Sequence, residues 1–341
     1  METEAQQAPG TAPQGAVEGR APVRTTIGGQ ALIEGIMMQG PLRQAIVVRN
    51  PEGSLEVRVE ERSLIAARYP ILGKPFIRGC VNFYNSIVKG VSALAWSAEF
   101  YPEEELSGKE PGKWEQFLER AFGSEKAMKL VTAVAVALGV VFTMALFVFL
   151  PTLLTGGLLY FTPHAPLWLR NLLEGAVKVV IFLVYLYACS HMKDIRRTFS
   201  YHGAEHKAIF CYERGEPLTV EKVREMPRFH PRCGTSFLFV VLIVSILVSA
   251  LVFALPPVRE GAANAAVRIG VHLILLPVVV SLTYELHRLV GRSDGYLARI
   301  LTAPGLWLQR FTCFEPDDGM IEVAIEALTL VLPEEQGADR W

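Results

Sequence analysis

The sequence predicts a mainly α-helical polytopic membrane protein with about four transmembrane helices, a small N-terminal β-rich cytoplasmic unit and amphipathic C-terminal helices. Three observations predict it. Four segments are long and apolar enough to cross a bilayer, which takes about 20 helical residues. Hydrophobic residues make up 51% of the 341-residue chain and charged residues 20%, an apolar balance for a soluble protein. Within residues 25–62, by contrast, apolar and polar residues alternate between turn signals, which is the pattern of strands.

The first span is Leu130–Leu150, which is uncharged, with Pro151 and Gly156-Gly157 following as breakers. The second is Leu172–His191, where Glu174 and Lys178 stand four apart. They can pair across one turn, and the lysine can snorkel to the interface. Thr235–Leu255 is the third span, ended by Pro256-Pro257, and Ala265–Tyr284 is the fourth. Together they make a transmembrane region over 129–290.

Orientation follows from counting lysine and arginine in short loops. The loop 191–234 holds Lys193, Arg196, Arg197, Lys207, Arg214, Lys222, Arg224, Arg228 and Arg232. The loop between spans one and two holds only Arg170, and the junction of spans three and four only Arg259 and Arg268. The basic loop is therefore expected in the cytoplasm, with both termini on the same side of the membrane.

Outside the spans, residues 1–24 read as a disordered tail without the apolar core of a signal peptide. In 25–62, Gln44–Arg49 and Leu55–Val59 alternate as strands around an Asn50-Pro-Glu-Gly53 turn. The run Gly28–Pro41 reads as a structured connecting loop whose glycines suggest special backbone angles; no P-loop or dinucleotide fingerprint is present. Residues 63–128 are expected to form interfacial and connecting helices, the first over 81–100. In 291–333, two amphipathic pieces split by Pro304-Gly305 precede a final helix capped by Asp317 and Asp318. A short tail, 334–341, closes the chain.

A net charge of −1 gives no global field to recruit nucleic acid. Five cysteines, without a CxxC pair, fit a reducing compartment better than a disulfide framework. The expected partners are the lipid bilayer and a membrane-protein or lipid-linked substrate.

The chemistry gathers in the basic loop, at Tyr201-His202-Gly-Ala-Glu205-His206-Lys207. Positions i and i+4 share a helix face, so His202 and His206 can hold one divalent metal ion, with zinc the leading choice. The pattern H-x-x-E-H is that of inverted zincins, whose glutamate activates water, which makes Glu205 the candidate base. Topology brings His230, Cys233 and Glu285 to the same membrane face as further ligand candidates. Blander readings stand beside each. The histidine pair suits a basic juxtamembrane helix on anionic lipid. His230 suits a proline-anchored turn, Cys233 a small buried thiol, Glu285 a partner of Arg288 and Glu205 a partner of Lys207. The candidate functions are a zinc-dependent hydrolase at the cytoplasmic face and, in another class, a scaffold or assembly factor with a structural metal. A transporter is the weaker third, because the charges of spans two and four lie near their ends.

Several strings together resemble the bacterial YqhQ family: Gly28-Gly-Gln-Ala-Leu-Ile-Glu-Gly-Ile-Met-Met, Tyr201-His-Gly-Ala-Glu-His-Lys, His230-Pro-Arg-Cys-Gly-Thr-Ser-Phe, Tyr284-Glu-Leu and Ala303-Pro-Gly-Leu-Trp-Leu-Gln. The resemblance covers about residues 25–333. It implies a membrane protein, in a family labelled as predicted metal-dependent enzymes. Gln39 stands where the family has a basic residue, and Cys313-Phe314 replaces a more polar pair. Neither departure is expected to touch the metal cluster.

Overall fold

The computed structural model describes residues 22–62, 69–101, 124–160, 166–261, 264–291, 295–335 and 337–339. The expectations for a disordered tail at 1–21 and for a connecting helix at 102–123 lie outside the described residues.

Four strands open the described chain: β1 (Gly28–Leu32), β2 (Gly35–Gln39), β3 (Arg43–Arg49) and β4 (Leu55–Glu61). Helices follow as α1 (Ile77–Glu99), α2 (Ser124–Met144), α3 (Leu150–Leu158), α4 (Leu167–His191), α5 (Lys193–Glu213), α6 (Val220–Glu225), α7 (Gly234–Ala254), α8 (Pro256–Arg259), α9 (Ala265–Gly291), α10 (Tyr296–Thr312) and α11 (Asp318–Thr329). Among the described residues, four helical stretches are long and apolar enough to cross a membrane: Ala133–Leu158, Leu167–His191, Phe237–Ala254 and Ala265–Val290.

By contact the chain divides into two units. One comprises 1–100, 186–240 and 281–341; the other comprises 101–185 and 241–280.

In the first unit the strands form an antiparallel meander in sequence order, with Ile36 opposite Val47 and Met38 opposite Ala45. These four side chains are fully buried and pack with Ala204 and Ala208 of α5 and with Ile321 and Ala324 of α11. The sheet thus buries one face under two helices, which is how a small antiparallel sheet finds a core. Asp317 caps α11, its side chain accepting from Met320 N at 2.9 Å, as its sequence position implied. The Asn50–Gly53 turn closes with a 2.9 Å bond from Gly53 N to Asn50 O.

Gly28–Pro41 is not a connecting loop but the β1–β2 hairpin. None of its glycines has positive φ; the left-handed residue is Glu34, at φ 49°. Its carboxylate is held from α5 by Arg197 and by the Tyr201 hydroxyl at 3.0 Å, which secures an unfavourable backbone angle. Gly29 and Gly35 serve close approach instead: a Cβ on either would come within 2.6 Å of a carbonyl oxygen on the neighbouring strand. The basic segment 191–234, treated as a loop by topology, is largely filled by α5 and α6. From Tyr201 to Glu213 nearly every residue of α5 is buried, so this polar helix runs through the unit's core. The split expected at Pro304-Gly305 does not occur, and α10 continues through Pro304.

In the second unit the first span does not end at Pro151. A π-helical turn, Ala145–Phe149, precedes it, and the helix runs on to Leu158. Such a turn absorbs the register change around a residue without an N–H. Glu174 and Lys178 do pair, at 3.2 Å, but the lysine does not snorkel. It stands midway along α4, is 4% exposed, and bonds His272 of α9 at 2.7 Å. Glu174 and Lys178 therefore face a protein interior, where Arg268, near the start of α9 as expected, and His272 meet them from the adjoining helix.

Candidate metal centre

The helical period stacks His202 and His206 one turn apart on α5, with ring centroids 4.3 Å apart. Gly203, between them, lets another segment cross α5 closely. A Cβ there would lie 2.1 Å from the Phe314 carbonyl oxygen. The crossing is fixed by Phe314 N donating to Phe199 O at 3.1 Å. It brings Thr312 and Cys313, at the end of α10, against the histidines.

Each imidazole is oriented by a backbone carbonyl. His202 Nδ1 lies 2.8 Å from Thr312 O, and His206 Nδ1 lies 2.6 Å from Arg228 O. A carbonyl only accepts, so both Nδ1 atoms carry a proton, and in the neutral, metal-binding form of each ring Nε2 presents the lone pair. His202 Nε2 lies 3.1 Å from Cys233 Sγ, and the buried His206 Nε2 has no hydrogen-bond partner. Ligand atoms of His202, His206 and Cys233 lie within 4.8 Å of one another, close enough for a single ion to bridge them. The same geometry gathers two lone-pair nitrogens and a sulfur, a donor set suited to zinc.

Glu205 is 4% exposed and also faces inward. Its Oε1 accepts from Gly29 N at 2.9 Å, while its buried Oε2 has no partner. His206 Nε2 in the group and Glu205 Oε2 near it are thus both buried without partners among the described residues. Buried polar atoms are rarely left so, and an ion would satisfy the nitrogen.

The electrostatics are those of a coupled group. Burial alone would raise the Cys233 thiol, but the two histidines hold it well below its usual value. Burial alone would lower the histidines, but the Cys233 sulfur outweighs it, holding His202 well above its usual value and carrying His206 up to about 10. Burial pushes the Glu205 carboxyl above the usual carboxylate range against the pull of both imidazoles. A thiolate next to two positively poised rings is the charge pattern that a cation would replace.

The remaining candidates are placed as follows. His230 lies beside the group, its ring 5.7 Å from that of His206. Its nitrogens are engaged elsewhere, Nε2 with Glu213 at 3.4 Å and Nδ1 accepting from Arg232 N at 3.3 Å. Glu285 is not brought to the cluster. It forms a two-armed pair with Arg78 of α1 and accepts from Phe76 N at 3.2 Å, rather than pairing with Arg288.

Cys313 is the residue that sequence reasoning missed, and contrary to expectation it touches the cluster. Its Sγ lies 3.3 Å from His202 Nδ1 and 3.5 Å from His206 Nδ1. It thus sits on the carbonyl side of both rings, farther from His202 Nε2, at 4.0 Å. The available signal was its place in a string where the chain departs from the resembled family.

A family model described as a protein of unknown function, DUF1385, matches residues 74–334. The uncharacterized protein YqhQ of Bacillus subtilis (strain 168) is 33% identical over 310 residues, covering 89% of this chain and 92% of that protein. No solved structure matches. With a family model matched over residues 74–334 and a relative matched over most of both chains, the chain belongs to the DUF1385 family.

Proposed function

We propose that this protein is a zinc-dependent hydrolase embedded in the bacterial inner membrane, with both termini in the cytoplasm and its reaction at the cytoplasmic face. The observation that carries the proposal is the buried group of His202, His206 and Cys233, whose ligand atoms lie within 4.8 Å of one another and whose His206 Nε2 has no hydrogen-bond partner among the described residues. His202, His206 and Cys233 are the ligands. A zinc ion held by them would supply a Lewis acid and lower the pKa of a water. Glu205, its Oε1 held by Gly29 N, would be the base for that water. Thr312 O and Arg228 O keep both rings in the ligating tautomer. His230 supports the site from outside through Glu213, and Glu285 ties α1 to α9. The substrate class is a membrane protein, peptide or lipid-linked molecule reached from the bilayer.

A second reading has one observation in its favour. Cys313 adjoins both histidines, and a fourth ligand, its thiolate, would close the coordination, as in structural zinc. The protein would then be a non-catalytic scaffold. Glu205→Gln separates the two. The hydrolase reading expects a variant that keeps stoichiometric zinc yet fails to complement a deletion strain. Full complementation with zinc retained would overturn it in favour of the scaffold.

A further inference from the structure

The two faces of α10 meet different surroundings. Its buried face serves the His-Cys cluster. Gln309 is fully buried and clamps the backbone of His230, accepting from His230 N and donating to His230 O, both at 2.8 Å. Thr312 O orients the His202 ring at 2.8 Å, and Cys313 caps the helix end.

The opposite face is apolar and exposed. Tyr296, Ile300 and Trp307 stand four and seven residues apart, so the helical period sets them on one stripe along the helix. Arg299 and Arg310 are both exposed and about three turns apart, so they edge the same side of that stripe. α10 contains no acidic residue, and neither arginine pairs with a carboxylate among the described residues. A helix that is apolar along one stripe and basic along its edge suits a lipid interface.

Continuity with a span argues for the same cover. Trp307 meets Phe311 edge-on at 5.4 Å between ring centroids, Phe311 stands 6.4 Å from Tyr187, and Tyr187 lies against His191 at 4.3 Å. Tyr187 and His191 stand one turn apart at the end of α4, a helix long and apolar enough to cross a membrane. Tryptophan and tyrosine gather where a span leaves the hydrocarbon. The aromatic row therefore holds α10 at the depth where α4 ends, and α5 begins there with the exposed Lys193 and Arg196. We propose that α10 lies in the headgroup layer at that end of α4. Tyr296, Ile300 and Trp307 enter the acyl chains, and Arg299 and Arg310 bind the phosphates of anionic phospholipid. The His-Cys cluster then stands on the membrane surface, about 10 Å from lipid, the thickness of one helix. This seating holds whether the cluster is catalytic or structural.

Fluorescence of the full-length protein in nanodiscs tests it, with phosphatidylcholine brominated high on its acyl chains. The share due to Trp307 is the wild-type signal minus that of Trp307→Phe, a variant that keeps an aromatic ring at an exposed position. Bromolipid should quench that share by half or more, and aqueous iodide should spare most of it. Quenching by iodide alone would place the face in water. Quenching by neither would place a protein chain on it, a second copy or another partner. Either result overturns the proposal. The headgroup contact is read from thermal unfolding. Adding phosphatidylglycerol to the nanodiscs should raise Tm by about 3 °C, as a ligand well above its Kd would. Arg299→Gln with Arg310→Gln, both on exposed side chains, should cut this rise by half or more. No rise, or a rise unchanged in the double variant, would overturn the anionic-lipid site.

Discussion

The backbone N–H of Gly29 donates to Glu205 Oε1 at 2.9 Å across 176 residues of sequence. One bond thus joins the glycine-rich hairpin near the N-terminus to the H-x-x-E-H helix. The hairpin supplies the donor that fixes one carboxylate oxygen, and the other is buried without a partner among the described residues. The close approach requires glycine, because a Cβ would lie 2.6 Å from Met37 O and 3.0 Å from Glu205 Cδ.

Gly29→Ala should therefore destabilise the protein by about 1–3 kcal/mol, the usual range for overpacking. It should also impair complementation while zinc stays bound, since no ligand moves. Thermal melts and metal content on one preparation check both parts. Loss of zinc together with Glu205 positioning would show that the hairpin holds the ligands themselves.

Cys233 and Cys313 should behave differently although both adjoin His202. Cys233 faces Nε2 and Cys313 faces Nδ1. Cys313→Ser should weaken zinc by roughly 10–100-fold, the usual effect of a group that orients ligands. Cys233→Ser should weaken it more than that. Competition with a chromogenic chelator measures both, and the reverse order would exchange the roles of the two thiols.

Glu285→Gln should leave zinc content unchanged, because its carboxylate is engaged by Arg78 and Phe76 N. The charge pair is only partly exposed, so the variant should lose about 1 kcal/mol of stability. Zinc loss in this variant would return Glu285 to the ligand set.

The buried Glu213 should make stability acid-sensitive. Burial alone would raise its carboxyl, but His230 and Arg232 outweigh burial and hold it below the usual carboxylate range. A depressed folded-state pKa contributes stability above the unfolded value of about 4.3, and that contribution is lost as pH falls through the folded value. Wild type should therefore lose Tm faster below about pH 4.3 than Glu213→Gln does, whatever the variant's starting stability. Parallel curves would show that Glu213 bears no such linkage.

Local signals made much of the fold legible. Uncharged runs gave the spans, the alternation at Leu55–Val59 gave a strand, and Asp317 gave a cap. What failed were signals that depend on a distant partner. Lys178 looks like a snorkelling residue until His272 and Arg268 are seen on α9, about ninety residues on. Gly28–Gly40 looks like a loop because its glycines meet close neighbours rather than unusual angles. The site divided in the same way. His202, Glu205 and His206 lie within five residues of one helix and carry a recognisable spacing. Cys233 comes from the start of α7, and Cys313 is delivered by a crossing that depends on Gly203. Nothing in the spacing of Cys313 encodes that crossing. Glu285 shared a membrane face with the cluster by topology, and Arg78 rather than a metal claimed it.

The central claim is that His202, His206 and Cys233 hold one metal ion. Its most direct test is elemental analysis of the purified full-length protein beside His206→Ala, with both shown folded by circular dichroism. The account predicts about one zinc per wild-type chain and a near-complete loss in the variant. A folded wild type without stoichiometric transition metal, even after dialysis against zinc, would contradict it.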